Sequence, residues 1–158
     1  MNLQIAEIVS SHWIQLRQMT YDLLGALEVG DLFLKLEFKR SQNIGYQFWC
    51  MLGAQESWIS LIESGEWGGF SCSVNSLEGS AVIESFRGRM ELADEILLRT
   101  LETVDLSRKF EDGSTPLSQY FTLVEHESHH QGQLINFIYA HDLPIPNSWE
   151  AKWALRRD

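Results

Sequence analysis

Apolar residues recur at three- and four-residue intervals in four separate long stretches of this sequence, the spacing that puts them on one face of an α-helix. The first expected helix covers about residues 2 to 28, with Ile5, Ile8, His12, Leu16, Met19 and Leu23 on one stripe. The second covers about 42 to 64, with Ile44, Phe48, Met51, Gln55, Trp58, Ile59 and Ile62 turned inward. Asn75 and Ser76 with Glu78 read as the start of a third, which carries Ile83, Phe86, Met90, Ala93, Leu97, Leu101 and Val104 to about Asp105. Thr115 as N-cap and Pro116 at the first helical position open the fourth, and Pro144 and Pro146 forbid its continuation past about His141. Ser148 could cap a last short helix bearing Trp149 and Trp153.

Between the first two helices, Leu32, Leu34, Leu36 and Phe38 alternate as in a strand, but one such run is too little for a sheet, so Gly30 to Arg40 reads as a crossover. The segment around Trp67-Gly68-Gly69-Phe70 and the Glu111-Asp112-Gly113-Ser114 stretch read as loops. The expected fold is therefore all-α: a four-helix bundle with a long crossover between helices one and two and a short C-terminal helix, residues 1–158 forming one domain.

Charge and composition narrow the partners. A formal net charge of −10 with only 12 Lys and Arg leaves little for the basic face that a nucleic acid or an anionic membrane would need. No apolar stretch approaches the length of a membrane span. Two cysteines, Cys50 and Cys72, and an N-terminus without a basic, then apolar, leader fit a reducing cytoplasm. Six tryptophans exceed what one modest core needs, and Trp49 falls on the otherwise polar side of helix two, so a homodimer is expected.

The chemistry concentrates in helix four. Leu123, His126, His130, Leu134 and Phe137 share one stripe, while Thr122, Glu125, His129, Gln133 and Asn136 share the opposite, polar side. Two inward imidazoles one turn apart can close on one transition-metal ion. The plainer reading is a pair of hydrogen-bonded core histidines, but desolvating polar side chains at one level without a function is costly. Glu127 also falls in the apolar arc and needs a partner there: a metal-bound water, a histidine or an arginine. His129, with polar neighbours at every helical spacing, reads as a solvated surface residue.

The run His126-Glu127-Ser128-His129-His130-Gln131-Gly132-Gln133-Leu134, followed by Leu143-Pro144-Ile145-Pro146, resembles the signature of the DinB-like metalloprotein superfamily, as does Gly45-Tyr46-Gln47-Phe48-Trp49-Cys50-Met51-Leu52-Gly53-Ala54-Gln55-Glu56-Ser57-Trp58. The resemblance covers nearly the whole chain. It implies a four-helix bundle holding a divalent metal, zinc or nickel, through one histidine on helix two and the helix-four pair. It also implies thiol-dependent transferase or isomerase chemistry on a small-molecule substrate with a low-molecular-weight thiol, and frequent dimers. His126 and His130 match the helix-four ligands. The helix-two histidine is replaced here by Cys50.

A thiolate can ligate zinc, and two histidines with one cysteine leave a fourth position open, as catalytic zinc sites do. A small cysteine at the edge of the helix-two apolar arc, in line with Ala54 and Leu61, can equally be core packing, and His12, in the middle of the helix-one stripe, is a lesser candidate for the third ligand. With metal bound, a thiol substrate is expected to ionise near neutral pH, with Glu127 as general base or as the residue orienting a ligand histidine. Two other readings stand beside this one. His126-Glu127-x-x-His130 formally satisfies the H-E-x-x-H motif of zinc peptidases, with Glu127 as base and Glu150 as a possible third ligand, although Pro144 and Pro146 intervene and no sheet edge is expected to hold a peptide. A non-catalytic dimeric bundle with a lost or ligand-binding metal site is the third.

Overall fold

The computed structural model describes residues 2–156. Five α-helices carry the fold: α1 (Asn2–Ala26), α2 (Ile44–Ser64), α3 (Val82–Thr103), α4 (Pro116–Ala140) and the short α5 (Asn147–Trp153), with a 3-10 helix over Val29–Phe33. No strand occurs among the described residues, so the alternating leucines of the crossover do not pair as β-structure. The four long helices share one interior, α2 packing on α3 and α4, and α1 on α3 and α4. Among the described residues, no helix is long and apolar enough to cross a membrane.

Local chemistry sets most boundaries. Asn43 Oδ1 accepts from the Tyr46 amide to start α2, and Gly65, at φ +78°, ends it in the left-handed conformation that a glycine adopts without strain. At α4 the expected Thr115 cap is found with Pro116 behind it, and Ser118 completes a reciprocal capping box. The third helix begins later than its Asn75 to Glu78 signals suggest. Leu77 packs where a side chain at Gly45 would stand, Trp49 Nε1 donates to the Val74 carbonyl at 3.1 Å, and Gly79 turns at φ +102°. Residues 74–81 are thereby laid across α2 instead of coiling. Ser148 caps nothing; its hydroxyl donates to Asp22 Oδ2 at 2.6 Å and ties α5 to α1, while Trp149, wholly buried, donates from Nε1 to the Met19 carbonyl.

The inward face of α1 differs from the expected stripe over its first half. Ala6, Val9, Trp13, Leu16, Arg17 and Thr20 are buried, whereas Ile8 is 63% exposed and His12 is exposed. Hydropathy misplaces the face because two of its members, Arg17 and Thr20, are polar. On α2 and α3 the expected stripes hold, with Trp58, Ile83 and the C-cap Val104 half-buried. Trp49 is covered from within the chain, its ring 4.9 Å from that of Phe70.

Two apolar clusters fill the interior. One includes Leu23, Phe48, Met51, Met90 and Leu134; the other includes Trp13, Leu16, Leu97, Leu101 and Leu123. Between them lies a polar layer with a contribution from every long helix. Arg17 on α1 donates to Gln55 Oε1 on α2 at 2.6 Å, and its guanidinium lies 3.3 Å from Asp94 on α3 and 3.1 Å from Glu127 on α4. Asp94 also accepts from Trp13 Nε1, Gln55 Nε2 and the Tyr21 hydroxyl. A buried ion pair returns its desolvation cost only when its remaining donors and acceptors are satisfied; here Gln55 and Thr20 supply hydrogen bonds, while Arg17 Nε and Nη1 meet the carboxylates at ion-pair distance alone.

Candidate metal centre

Helical spacing brings the two imidazoles of α4 to one level, and α2 delivers Cys50 opposite them. One ligand-competent atom from each of Cys50, His126 and His130 lies within 4.8 Å of the other two, so this group could hold a metal ion. Cys50 Sγ is 3.7 Å from His126 Nε2. His130 is buried, and His126 and Cys50 are half-buried.

The donor set suits a divalent transition metal: two imidazole nitrogens and a sulfur are the ligands zinc takes in open sites. His130 is oriented for the role. Its Nδ1 lies 2.7 Å from Gln47 Oε1, an atom that can only accept, so Nδ1 carries the proton and Nε2 keeps its lone pair. His126 has no such support, and its Nδ1 is buried without a hydrogen-bond partner. Burial depresses both imidazoles, with neighbouring histidines adding to the effect, and His130 is brought down to about 4. Both are thus unprotonated at neutral pH, as ligands must be. Burial pushes the Cys50 thiol up, an effect that the hydrogen bond from the Tyr46 hydroxyl offsets in part. Without a metal, Cys50 is a thiol at neutral pH.

Glu127 does not join the three. Its side chain is 1% exposed and turned to α1, where Thr20 Oγ1 donates to Oε1 at 2.5 Å and Arg17 lies 3.1 Å away. Of the partners the sequence allows, the structure provides the arginine. Burial raises the Glu127 carboxyl, with Arg17 and Thr20 pulling it back. His12 is likewise outside the group: its Nδ1 is 2.9 Å from the Tyr120 hydroxyl, at a separate cleft between α1, α4 and α5. His129 is exposed, as its polar neighbours imply, and its Nε2 accepts from Gln133 Nε2 at 2.9 Å. Glu150 is exposed on α5 and belongs to no metal-ligand group among the described residues.

A cleft of about 830 Å³ between the crossover and α4 reaches the centre, with Gln47, His130 and Tyr46 in its wall. Gln47 and Tyr46 are functional candidates that hydropathy alone does not reveal. Both had a signal, since they lie three and four residues before Cys50 and so share its face of α2.

Comparison with protein-family models, with curated proteins and with solved structures finds no match to this chain.

Proposed function

We propose that the chain is a four-helix bundle of the DinB-like kind whose Cys50, His126 and His130 bind one divalent metal, zinc or nickel, and that the centre activates a low-molecular-weight thiol for S-transfer or isomerisation. The observation that carries this reading is the convergence of the three side chains to within 4.8 Å, with His130 held by Gln47. A divalent ion held there would supply a Lewis acid with one open position, at which a thiol ionises near neutral pH.

The residues of the chain do the rest. Gln47 fixes the tautomer and ring plane of His130. Tyr46, donating to Cys50 Sγ, moderates the charge that a thiolate brings. The cleft beside His130 gives a small molecule access from one side, while the apolar interior closes the other. Glu127, paired with Arg17, acts by setting the rotation of α4 rather than by taking a proton at the centre. For the same reason the peptidase reading lacks its base, and the described residues offer no strand edge to a peptide.

Zinc titrated into untagged protein that has never met a nickel column tests the reading. One ion should bind per chain, and His126→Ala or His130→Ala should abolish stoichiometric binding. A wild-type protein that binds no zinc or nickel removes the enzymatic hypothesis and leaves the non-catalytic bundle.

A further inference from the structure

The cleft that reaches His130 and Gln47 has a charge unlike that of the chain around it. Asp and Glu make up 22 of the 158 residues, yet none of the described residues lining the cleft is acidic. Its one guanidinium is Arg40, which forms no ion pair among the described residues. The wall opposite, on α4, presents the side-chain amides of Gln133 and Asn136 together with His129.

The turn that carries Arg40 is built rather than loose. Ser41 Oγ accepts from the Leu36 amide at 2.9 Å and donates to the Gln42 carbonyl, and the Ser41 amide donates to the Phe38 carbonyl at 3.0 Å. The Ile44 amide ties the start of α2 to Leu34, and His141 Nε2 at the end of α4 donates to the Lys35 carbonyl at 2.8 Å. Phe38 stands on this turn 60% exposed, beside Leu36, so the lip that carries the cation also carries an unpartnered aromatic face.

A guanidinium pairs a carboxylate in two parallel hydrogen bonds, and a cleft lined by one sign of charge concentrates ions of the other. In a chain whose net charge of −10 repels anions, an acid-free cleft with one unpaired arginine is a place where an anion can enter. We infer that this cleft binds a small carboxylate with an apolar body, the carboxylate on Arg40 and the apolar part against Leu36 and Phe38. The inference rests on the metal-site reading for the ligand's role, as the substrate brought to the centre beside His130, though not for its binding.

Two probes matched in shape test it: N-acetylphenylalanine, a carboxylate, and N-acetylphenylalaninamide, its neutral counterpart. Their dissociation constants are measured by calorimetry on the full chain, zinc-loaded and after chelation. The carboxylate should bind at least tenfold tighter than the amide in both forms, and the margin should shrink as salt is raised. Arg40→Gln, at an exposed position, should reduce the margin to less than twofold and leave the amide's affinity unchanged. No preference, a preference that survives Arg40→Gln, a preference that appears only with zinc, or no binding of either probe at millimolar concentration each overturns the inference. Failure of the metal reading looks different: zinc does not bind, yet the carboxylate preference and its loss in Arg40→Gln persist.

Discussion

Arg17 Nη1 lies 3.1 Å from Glu127 Oε1, with both side chains only 1% exposed, so the residue next to His126 is anchored to α1. The same guanidinium reaches Gln55 and Asp94, so this one side chain ties α1 to each of the other three long helices. Its loss leaves the buried Glu127 carboxyl and the half-buried Asp94 carboxyl without their shared cation. Arg17→Met should therefore destabilise the protein by about 3–5 kcal/mol in urea unfolding, the range for breaking one side of a buried pair. A loss under about 1 kcal/mol would mean that the polar layer rearranges at little cost.

Glu127→Gln should be far milder, because the amide oxygen still accepts from Thr20 and stays beside Arg17 while one buried charge is removed. The pH profile gives the sign. Burial raises the folded-state Glu127 carboxyl above its ordinary 4.5, so its contribution to stability is fully present below that value and is lost as pH rises through the folded value. Wild type should thus lose stability relative to Glu127→Gln on going upward from about pH 4.5. An opposite trend in paired urea titrations would show that Arg17 wins over desolvation.

The histidine pair predicts the opposite slope in the metal-free protein. His130 falls from 6.5 to about 4 on folding, and His126 is lowered as well, so both contribute stability above pH 6.5 that disappears as pH falls through the folded values. For His130, only 5% exposed, the shift corresponds to about 3 kcal/mol at most. Unfolding free energies measured from pH 7.5 to 4 should decline, and His130→Asn should flatten the decline. An equal decline in the variant would assign it to other groups.

Gln47 offers a test that separates positioning from folding. It touches the proposed centre only through His130 Nδ1. Gln47→Leu fills the same volume with apolar surface and should weaken zinc affinity by ~10–100-fold, the range for losing a ligand's orienting partner. Its helical circular dichroism should be unchanged. Unaltered zinc affinity would make the Gln47 contact simple satisfaction of a buried histidine.

Periodicity was enough for most of α2, α3 and α4, where apolar residues outnumber the buried polar ones (Gln47, Gln55 and Ser57 on α2, Thr100 on α3, Glu127, His130 and Gln131 on α4), and for Thr115-Pro116, where the cap is local chemistry. It failed over the first half of α1, where the exposed Ile8 and Ile14 put apolar signal on the outer face. Arg17 and Thr20 count against the true face of α1 in any hydropathy argument, and only the carboxylates delivered by α3 and α4 make them inward. The start of α3 was illegible because Leu77 and Val74 are held by contacts with α2, distant in sequence. At the metal centre, the pairing of His126 with His130 follows from one helix, whereas the approach of Cys50 depends on how α2 packs on α4. Glu127 was identified as buried, and its arginine lay among the partners expected of it, but which helix it faces required the packed structure.

Cys50 is where ligand and core packing make different measurable demands. Burial holds its thiol above the usual range, so it is protonated at pH 7, while His126 and His130 are already unprotonated. A metal that takes Cys50 as a thiolate must displace that proton, and one that uses only the histidines displaces none from the protein. Calorimetry of zinc binding in buffers of different ionisation enthalpy should therefore report close to one proton released per ion in wild type, and close to none in Cys50→Ala. The variant should also bind at least about tenfold more weakly, since a lost ligand costs no less than a lost orienting partner. Zinc should slow alkylation of Cys50 by iodoacetamide, because a coordinated thiolate is occupied, and should leave Cys72 unaffected. Cys50→His should keep tight binding but release no proton, the imidazole being a neutral ligand. Proton release that is the same in wild type and Cys50→Ala would place the cysteine in the packing between α2 and α4, and the third ligand would then be water or a residue outside this group.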